Sequence, residues 1–140
     1  MVREVEAGLG RVMEEAQAGG GPPADLVPPG GELLLATIDG APAALGGIRD
    51  LDSEVAEVKS MYVAPAGRGR GLARALLGRL EAIAAEHRCR AVRLDTAAHL
   101  TAAIALYRGA GYAEVPAYNE NPNAALWFER ELSPRRRPAP

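Results

Sequence analysis

Between Met61 and Leu77 an apolar run, a glycine-rich turn and a helical pattern follow one another, and this stretch limits the folds open to the chain. The apolar run ends at Pro65, which has no amide N–H with which to continue a β-ladder. Three glycines alternate with two arginines over residues 67–71. Apolar residues then recur with the spacing of one helical face, at Leu72, Leu76, Leu77, Leu80, Ile83 and Ala84. The pattern predicts a strand-to-helix turn at which the backbone comes close to a ligand.

The first turn of the predicted helix is a candidate anion site. Its amides have no partners within the helix, and the helix dipole adds partial positive charge at the same end. Arg68 and Arg70 add guanidinium groups suited to phosphate. The P-loop pattern fails because no lysine follows these glycines, and the dinucleotide pattern fails at Arg74, where a small residue is needed. An ordinary turn that binds nothing remains the alternative interpretation.

Length and charge exclude several classes of protein. With 140 residues and no internal repeat, the chain is expected to form one domain over residues 1–132, with a disordered Pro- and Arg-rich tail at 133–140. The net charge of −2 gives no general attraction to nucleic acid or to anionic membranes. No apolar run approaches the ~20 residues of a membrane span, and residues 2–17 are too charged for a signal peptide. We therefore expect a cytoplasmic protein without nucleic-acid or membrane partners.

The single cysteine, Cys89, excludes an internal disulfide and a cysteine-based zinc cluster, so no metal site is predicted. Its position near the end of the long helical pattern is typical of a small buried apolar residue.

The remaining periodicities predict a mixed α/β domain. Residues 2–18 have the spacing of an amphipathic helix, and residues 19–31 have the composition of a loop. Strands are predicted at residues 32–38, 42–48, 54–63, 91–96, 112–115 and 124–132, and helices at 69–88 and 101–108. Asp39-Gly40 is a hairpin signal, and Gly46-Gly47 marks a bulge. A helical crossover makes the third and fourth strands parallel. The order predicts a mostly antiparallel sheet with a central parallel βαβ unit and helices on both faces.

Two motifs together resemble the GNAT superfamily of N-acetyltransferases. The spacing Arg68-x-x-Gly71-x-Ala73 is similar to the loop that holds the pyrophosphate of acetyl-CoA in that family. Residues 103–112, with the sequence AIALYRGAGY, resemble the family's A-I-x-L-Y-x-x-x-G-[FY] helix. Residues 57–63 resemble its fourth strand, and residues 94–96 resemble its fifth. The motifs follow the family's order and spacing, so the resemblance covers about residues 55–115.

This resemblance implies transfer of an acetyl group from acetyl-CoA to a primary amine of a small molecule or peptide. It implies cofactor contacts at Met61, Tyr62, Val63, Arg68, Gly69, Arg70, Gly71, Leu72, Ala73 and Leu100. Tyr107 matches the family tyrosine that protonates, or hydrogen-bonds to, the CoA sulfur. Glu57 occupies the position of a glutamate base in some members, whereas many members use water. A core-capping tyrosine and a solvated strand residue are the structural alternatives for these two.

The chain departs from the family pattern at two places. The helical motif often begins with an asparagine that contacts the cofactor, and this chain has Leu100 there. The family usually opens with a strand, whereas this chain starts at the helix, so either the protein lacks that strand or its start is placed too late. The outer strand of the sheet is then an open edge, which favours a homodimer or coverage by residues 19–31.

Several further interpretations stay open at this point. Glu54 and Asp95 are secondary candidates for the base, and His99 is read as a helix-start residue rather than a proton relay. The loop over residues 118–123 is a candidate wall of the acceptor pocket, because functional residues concentrate on loops. The alternative functions are a non-catalytic acyl-CoA-binding sensor or regulatory module, and a protein that uses the glycine loop for another diphosphate.

Overall fold

The computed structural model describes residues 30–132. The predicted N-terminal helix, almost all of the following loop, the question of a missing first strand and the C-terminal tail lie outside the described residues. The described strands are β1 (Gly31–Ile38), β2 (Ala41–Asp50), β3 (Val55–Val63), β4 (Ala91–Thr96), β5 (Ala113–Val115) and β6 (Leu126–Glu131). The helices are α1 (Leu72–Glu86) and α2 (Thr101–Gly109), and a short 3-10 turn, Pro65–Gly67, lies between β3 and α1.

These strands form one mixed sheet in the order β1-β2-β3-β4-β6-β5. The central pair β3–β4 is parallel, because α1 carries the chain back to the same end of the sheet. The other neighbouring pairs are antiparallel. The predicted fold class, a mostly antiparallel sheet around a parallel βαβ unit, is therefore confirmed.

Both described helices pack against the same face of the sheet. Alternation along the strands turns Val58 of β3 and Leu94 of β4 towards this face, where they join Leu80 of α1 in one apolar core. From α2, the ring of Tyr107 lies 6.2 Å from that of Phe128 on β6. The prediction that helices cover both faces of the sheet stays a prediction, because the N-terminal helix lies outside the described residues.

Two local predictions are confirmed. Asp39 and Gly40 have φ angles of 50° and 81°, the positive values that a type I′ hairpin turn between β1 and β2 requires. Cys89 follows α1 and is buried, and this burial raises the pKa of its thiol. It therefore acts as a small apolar core residue. No helix within residues 30–132 is long and apolar enough to cross a membrane.

The register between β2 and β3 shifts opposite Gly46. One residue of β2, Gly46, faces two residues of β3, Ser60 and Met61, and Ser60 adopts a left-handed φ of 59°. The bulge predicted at Gly46-Gly47 is present, but its extra residue belongs to the partner strand. Gly46 is needed for space, because a Cβ there would lie 2.5 Å from the Met61 sulfur.

The two parallel strands separate towards their carboxyl ends. In the described part of the chain, their backbone pairing begins at Val55–Ala91 and ends at Glu57–Arg93. Beyond that point β3 continues to Val63 and β4 continues to Thr96. An opening beyond the carboxyl ends of neighbouring strands is where α/β sheets bind ligands. The fold thus places the glycine loop beside such an opening.

Candidate functional site

A cleft of about 620 Å³ lies at the carboxyl end of β3, between the first turn of α1 and one side of α2. Nine predicted cofactor residues line it: Met61, Tyr62, Val63, Arg68, Gly69, Gly71, Leu72, Ala73 and Leu100. The predicted catalytic residue Tyr107 also lines it. Residues far apart in sequence, in the glycine loop and in the A-I-x-L-Y motif, are thus brought to one cavity.

The glycine loop reaches α1 through two left-handed residues, Gly69 with φ of 76° and Gly71 with φ of 72°. Gly71 is the N-cap, and within residues 30–132 no side chain hydrogen-bonds to cap this helix end. The first turn also contains no acidic residue. The residues that carry the first-turn amides, Leu72 and Ala73, line the cleft. These amides and the helix dipole therefore make this helix end a candidate anion site beside the cavity.

Two arginines add positive charge to this site. Arg68 Nε donates a hydrogen bond to the carbonyl oxygen of Val63 at 3.3 Å, which holds the side chain against the end of β3. Arg74 also lines the cleft, and its side chain is about half exposed. Sequence reasoning used Arg74 only to reject a dinucleotide motif and missed it as a site residue. The signal was its position three residues after Gly71, within the first turn of α1.

The structure places Arg70 apart from the other predicted cofactor residues. It is exposed and is not among the cleft-lining residues of the described chain. The reason is local, because the left-handed Gly69 turns the backbone between the two loop arginines.

Tyr107 is buried on α2, with 5% of its surface exposed. Its ring packs against Tyr112 and Phe128, with centroid distances of 6.0 and 6.2 Å. Burial, with a smaller contribution from the negative charge of Asp95, raises the pKa of Tyr107 to about 12. The hydroxyl therefore stays protonated at neutral pH and can donate a proton or hydrogen bond into the cleft.

Glu57 lies on the face of the sheet away from the two helices, because its neighbours Ala56 and Val58 point into the core. It is fully buried, so the solvated-strand interpretation is wrong. Arg49 reaches Oε1 through both Nε and Nη2, each at 2.9 Å. Lys59 of β3 is a second charged partner, with Nζ at 3.6 Å from Oε2. Glu57 does not line the cleft, and the structure places it on the far side of the opening between β3 and β4.

Asp95 of β4 lies beside Glu57 on that same face. Its carboxylate accepts hydrogen bonds from Lys59 Nζ at 3.3 Å, Asn119 Nδ2 at 2.7 Å and Asn121 Nδ2 at 3.1 Å. Tyr118 OH donates to Glu57 Oε2 at 2.6 Å. We call this set the carboxylate network; its members are Arg49, Glu57, Lys59, Asp95, Tyr118, Asn119, Asn121 and Trp127. Sequence reasoning named the 118–123 loop but could not predict these contacts.

His99 and Leu100 lie at the entrance to α2 and line the cleft. Leu100 is the N-cap of α2, is 44% exposed and makes no side-chain capping hydrogen bond within the described chain. The apolar residue at this position is thus a feature of the cavity rim. No group of three or more His, Cys, Asp or Glu residues that could hold a metal ion occurs in residues 30–132.

A family comparison decides what this arrangement belongs to. The model of the acetyltransferase (GNAT) family matches residues 11–112, which is more than half of the chain. The chain belongs to the GNAT family of acetyltransferases. The match includes both the glycine loop and the A-I-x-L-Y helix, so the predicted family is confirmed.

Similar proteins carry related names. An "IAA acetyltransferase" of Azospirillum brasilense is 36% identical over 90 residues, which are 64% of this chain and 59% of that protein. The chain therefore spans less than two thirds of that relative's length. A proposed acyl-CoA N-acyltransferase of Klebsiella pneumoniae has 28% identity and a TM-score of 0.76, with 91% of this chain and 92% of that chain covered.

A likeness at lower identity supports the GNAT fold itself. The structure of a GNAT family acetyltransferase from Elizabethkingia anophelis, with acetyl-CoA bound, has a TM-score of 0.63 at 21% identity. The alignment of the two structures covers 74% of this chain and 77% of the other chain. This likeness shows that the protein shares its overall fold with that structure.

Proposed function

We propose that the protein transfers an acetyl group from acetyl-CoA to a primary amine of a small molecule or peptide. The observation that carries this proposal is one cleft that joins an uncapped, arginine-flanked helix end to a buried, protonated tyrosine. An anion site at one end and a proton donor at the other match the two ends of an acyl-CoA thioester. The bound acetyl-CoA in the E. anophelis structure supports the choice of this ligand.

Binding is assigned to the residues that line the cleft. The first-turn amides of α1 would hold the pyrophosphate, with Arg68 and Arg74 as charged donors. The end of β3, at Met61 and Val63, would lie along the pantetheine arm. The apolar rim at Leu100 would contribute contact area rather than a hydrogen bond.

The proposed reaction involves two proton transfers, one on each face of the sheet. Acetyl transfer forms an N–C bond to the amine and breaks the C–S bond of the thioester. Tyr107 gives a proton to the departing sulfur, since its hydroxyl is protonated at neutral pH. Glu57, across the opening between β3 and β4, receives through intervening water the proton that the amine loses, since the carboxylate is buried and does not line the cleft. A backbone N–H at the end of β3 would stabilise the developing oxyanion.

Titration calorimetry with acetyl-CoA tests the site, with two variants of the same loop. Arg68→Ala removes a cleft-lining guanidinium and should weaken binding about tenfold, because a charge-assisted hydrogen bond contributes roughly 1.5–3 kcal/mol. Arg70→Ala is the matched control, since Arg70 lies outside the cleft, and its affinity should stay within about twofold of wild type. Failure of the wild type to bind, or equal losses in both variants, would contradict this assignment.

A non-catalytic acyl-CoA-binding module is the second candidate function. The observation that favours it is Leu100, which supplies no polar contact where the family often has asparagine. Tight acetyl-CoA binding without transfer to any amine in a broad panel would support this alternative. Release of free CoA that depends on an added amine would exclude it.

A further inference from the structure

The carboxylate network connects β3 and β4 at the point where their backbone pairing stops. The last described ladder pair between them is Glu57–Arg93. Just beyond it, Lys59 Nζ of β3 lies 3.3 Å from Asp95 Oδ2 of β4. Side chains thus replace backbone hydrogen bonds at the base of the opening between the two strands. On the proposed function, the thioester and the amine meet through this opening.

Asn119 bridges the two strands with one amide group. Its Nδ2 donates to Asp95 Oδ2 at 2.7 Å and lies 3.5 Å from Glu57 Oε2. Its Oδ1 accepts a hydrogen bond from Trp127 Nε1 at 2.9 Å. Because an indole N–H can only donate, this contact decides the orientation of the amide and turns Nδ2 towards the carboxylates.

Tyr118 forms a hydrogen bond with one carboxylate oxygen of Glu57. Its hydroxyl donates to Oε2 at 2.6 Å, and the Arg93 guanidinium lies 5.5 Å from its ring centroid, with Arg93 Nε bonded to Glu129 at 2.7 Å. Burial and then the hydrogen bond to Glu57 raise the pKa of Tyr118, so the hydroxyl stays protonated and acts as a donor. The ring is therefore held in place, with its O–H directed at the carboxylate.

The short contacts around Glu57 fill both positions on Oε1 but only one on Oε2 in the described part of the chain. A carboxylate has about four lone-pair sites. The Arg49 fork takes two on Oε1, and Tyr118 takes one on Oε2. Asn119 Nδ2 donates a long hydrogen bond to Oε2 at 3.5 Å, and Lys59 Nζ lies 3.6 Å from the same oxygen. A proton on Oε2, beside Tyr118, would therefore replace only these long contacts.

We propose that Tyr118 and Asn119 are positioning residues that orient Glu57 and Asp95 at the base of the strand opening, so that Glu57 Oε2 receives the proton of the acceptor amine. This inference rests on the proposed function and assigns the closing loop a part in it. The charged and titratable groups that face Glu57 come from four elements: Arg49 of β2, Lys59 of β3, Asp95 and Arg93 of β4, and Tyr118 of the loop before β6.

Tyr118→Phe removes the hydroxyl and keeps the ring under Arg93. We expect kcat/KM for the amine to fall about tenfold at pH 7, and the acid limb of its pH profile to move to higher pH. The direction follows because ionised Glu57 loses a donor that stabilises its charge. The dissociation constant of acetyl-CoA should stay within about twofold, since the glycine loop lies at the other face of the sheet.

Tyr112→Phe is the matched control. Tyr112 OH donates to buried Glu81 at 2.8 Å, which is the same kind of bond, and neither residue lines the cleft or belongs to the carboxylate network. It should lower stability but leave the pH profile at its wild-type position. An unshifted profile in Tyr118→Phe, or equal shifts in both variants, would overturn the proposal.

Two further variants keep the proposal testable if Tyr118→Phe folds poorly. Asn119→Ala removes the bridging amide and should also lower kcat/KM about tenfold and shift the acid limb upwards. In a Glu57→Gln background, Tyr118→Phe should have little further effect, because the two residues act as one unit. Fully additive losses would overturn the proposal. Absence of any transfer by the wild type in the same assay would instead overturn the proposed function itself.

Discussion

At the scale of single residues, two tyrosine hydroxyl groups differ in the partners that surround them. Tyr107 is buried and Tyr118 is partly buried on the opposite side of the same opening, and burial raises the pKa of each. Tyr107 faces the cleft, whereas Tyr118 donates to Glu57. On the proposed function, the same type of side chain serves as a proton donor at one site and as a positioning group at the other, because their partners differ.

Tyr107→Phe should lower turnover about 100-fold, since general acid catalysis contributes at least roughly that factor. The ring and its packing against Phe128 are kept, so acetyl-CoA binding should change little. Steady-state kinetics and calorimetry on the same preparation separate the two effects. Wild-type turnover in the variant would remove Tyr107 from the mechanism.

At the scale of elements, the starts of the two helices differ from most helix N-termini. Both α1 and α2 begin without a side-chain cap in the described chain, α1 at Gly71 and α2 at Leu100. For α1 the uncapped amides face the cleft and are available to an anion. For α2 the N-cap is an exposed leucine, among the least favourable residues for that position.

Leu100→Asn should stabilise the protein by about 1 kcal/mol, because an asparagine oxygen can accept a hydrogen bond from a first-turn amide of α2. Urea denaturation at neutral pH measures the change. Leu51→Asn is the control, since Leu51 is another exposed leucine, at 36%, but lies in the turn between β2 and β3. Its stability should change by less than about 0.5 kcal/mol. Equal gains in both variants would show that loss of exposed apolar surface, rather than capping, is responsible.

At the scale of the whole molecule, one sheet supports two different faces. The helix face holds the apolar core and the cleft, and the other face holds the carboxylate network. In the described chain β1 is an edge strand, so a homodimer through that edge stays a prediction. Sedimentation as a monomer at all concentrations would contradict it.

Stability should fall as the pH rises from about 10 towards 12. The pKa of Tyr107 is raised to about 12 in the folded protein, whereas an unfolded tyrosine ionises near 10, so its contribution is complete below pH 10 and is lost progressively as the pH rises to about 12. A two-unit difference corresponds to at most about 3 kcal/mol. The raised pKa values of Tyr112 and Tyr118 act in the same direction.

The free energy of unfolding in urea at pH 8, 10 and 11 measures this loss. Tyr107→Phe should show a shallower decline than wild type, because it lacks one of the three tyrosines. Identical declines in the two proteins would show that Tyr107 does not contribute.

Local sequence patterns determined much of this protein. The periodicities of apolar residues predicted the described strands and helices. The two motifs predicted most of the residues that line the cleft. Each motif is a short continuous segment whose backbone conformation depends on neighbouring residues. The observed boundaries of an element differ from the predicted ones where the conformation of one or two residues sets the boundary. Helix α1 begins at Leu72 rather than at residue 69, since Gly69 and Gly71 are left-handed.

Only the tertiary structure shows the contacts on the face of the sheet away from the two helices. The burial of Glu57 and its contacts with Arg49 and Tyr118 join three separate parts of the chain, and no local period reports such a contact. The parallel register of β3 and β4 brings Glu57 and Asp95 together, and the antiparallel pairing of β6 adds Trp127. The sequence by itself determined the loop and the helix that line the cleft. Long-range strand pairing determined the charged groups across from it, because only the assembled sheet makes them neighbours.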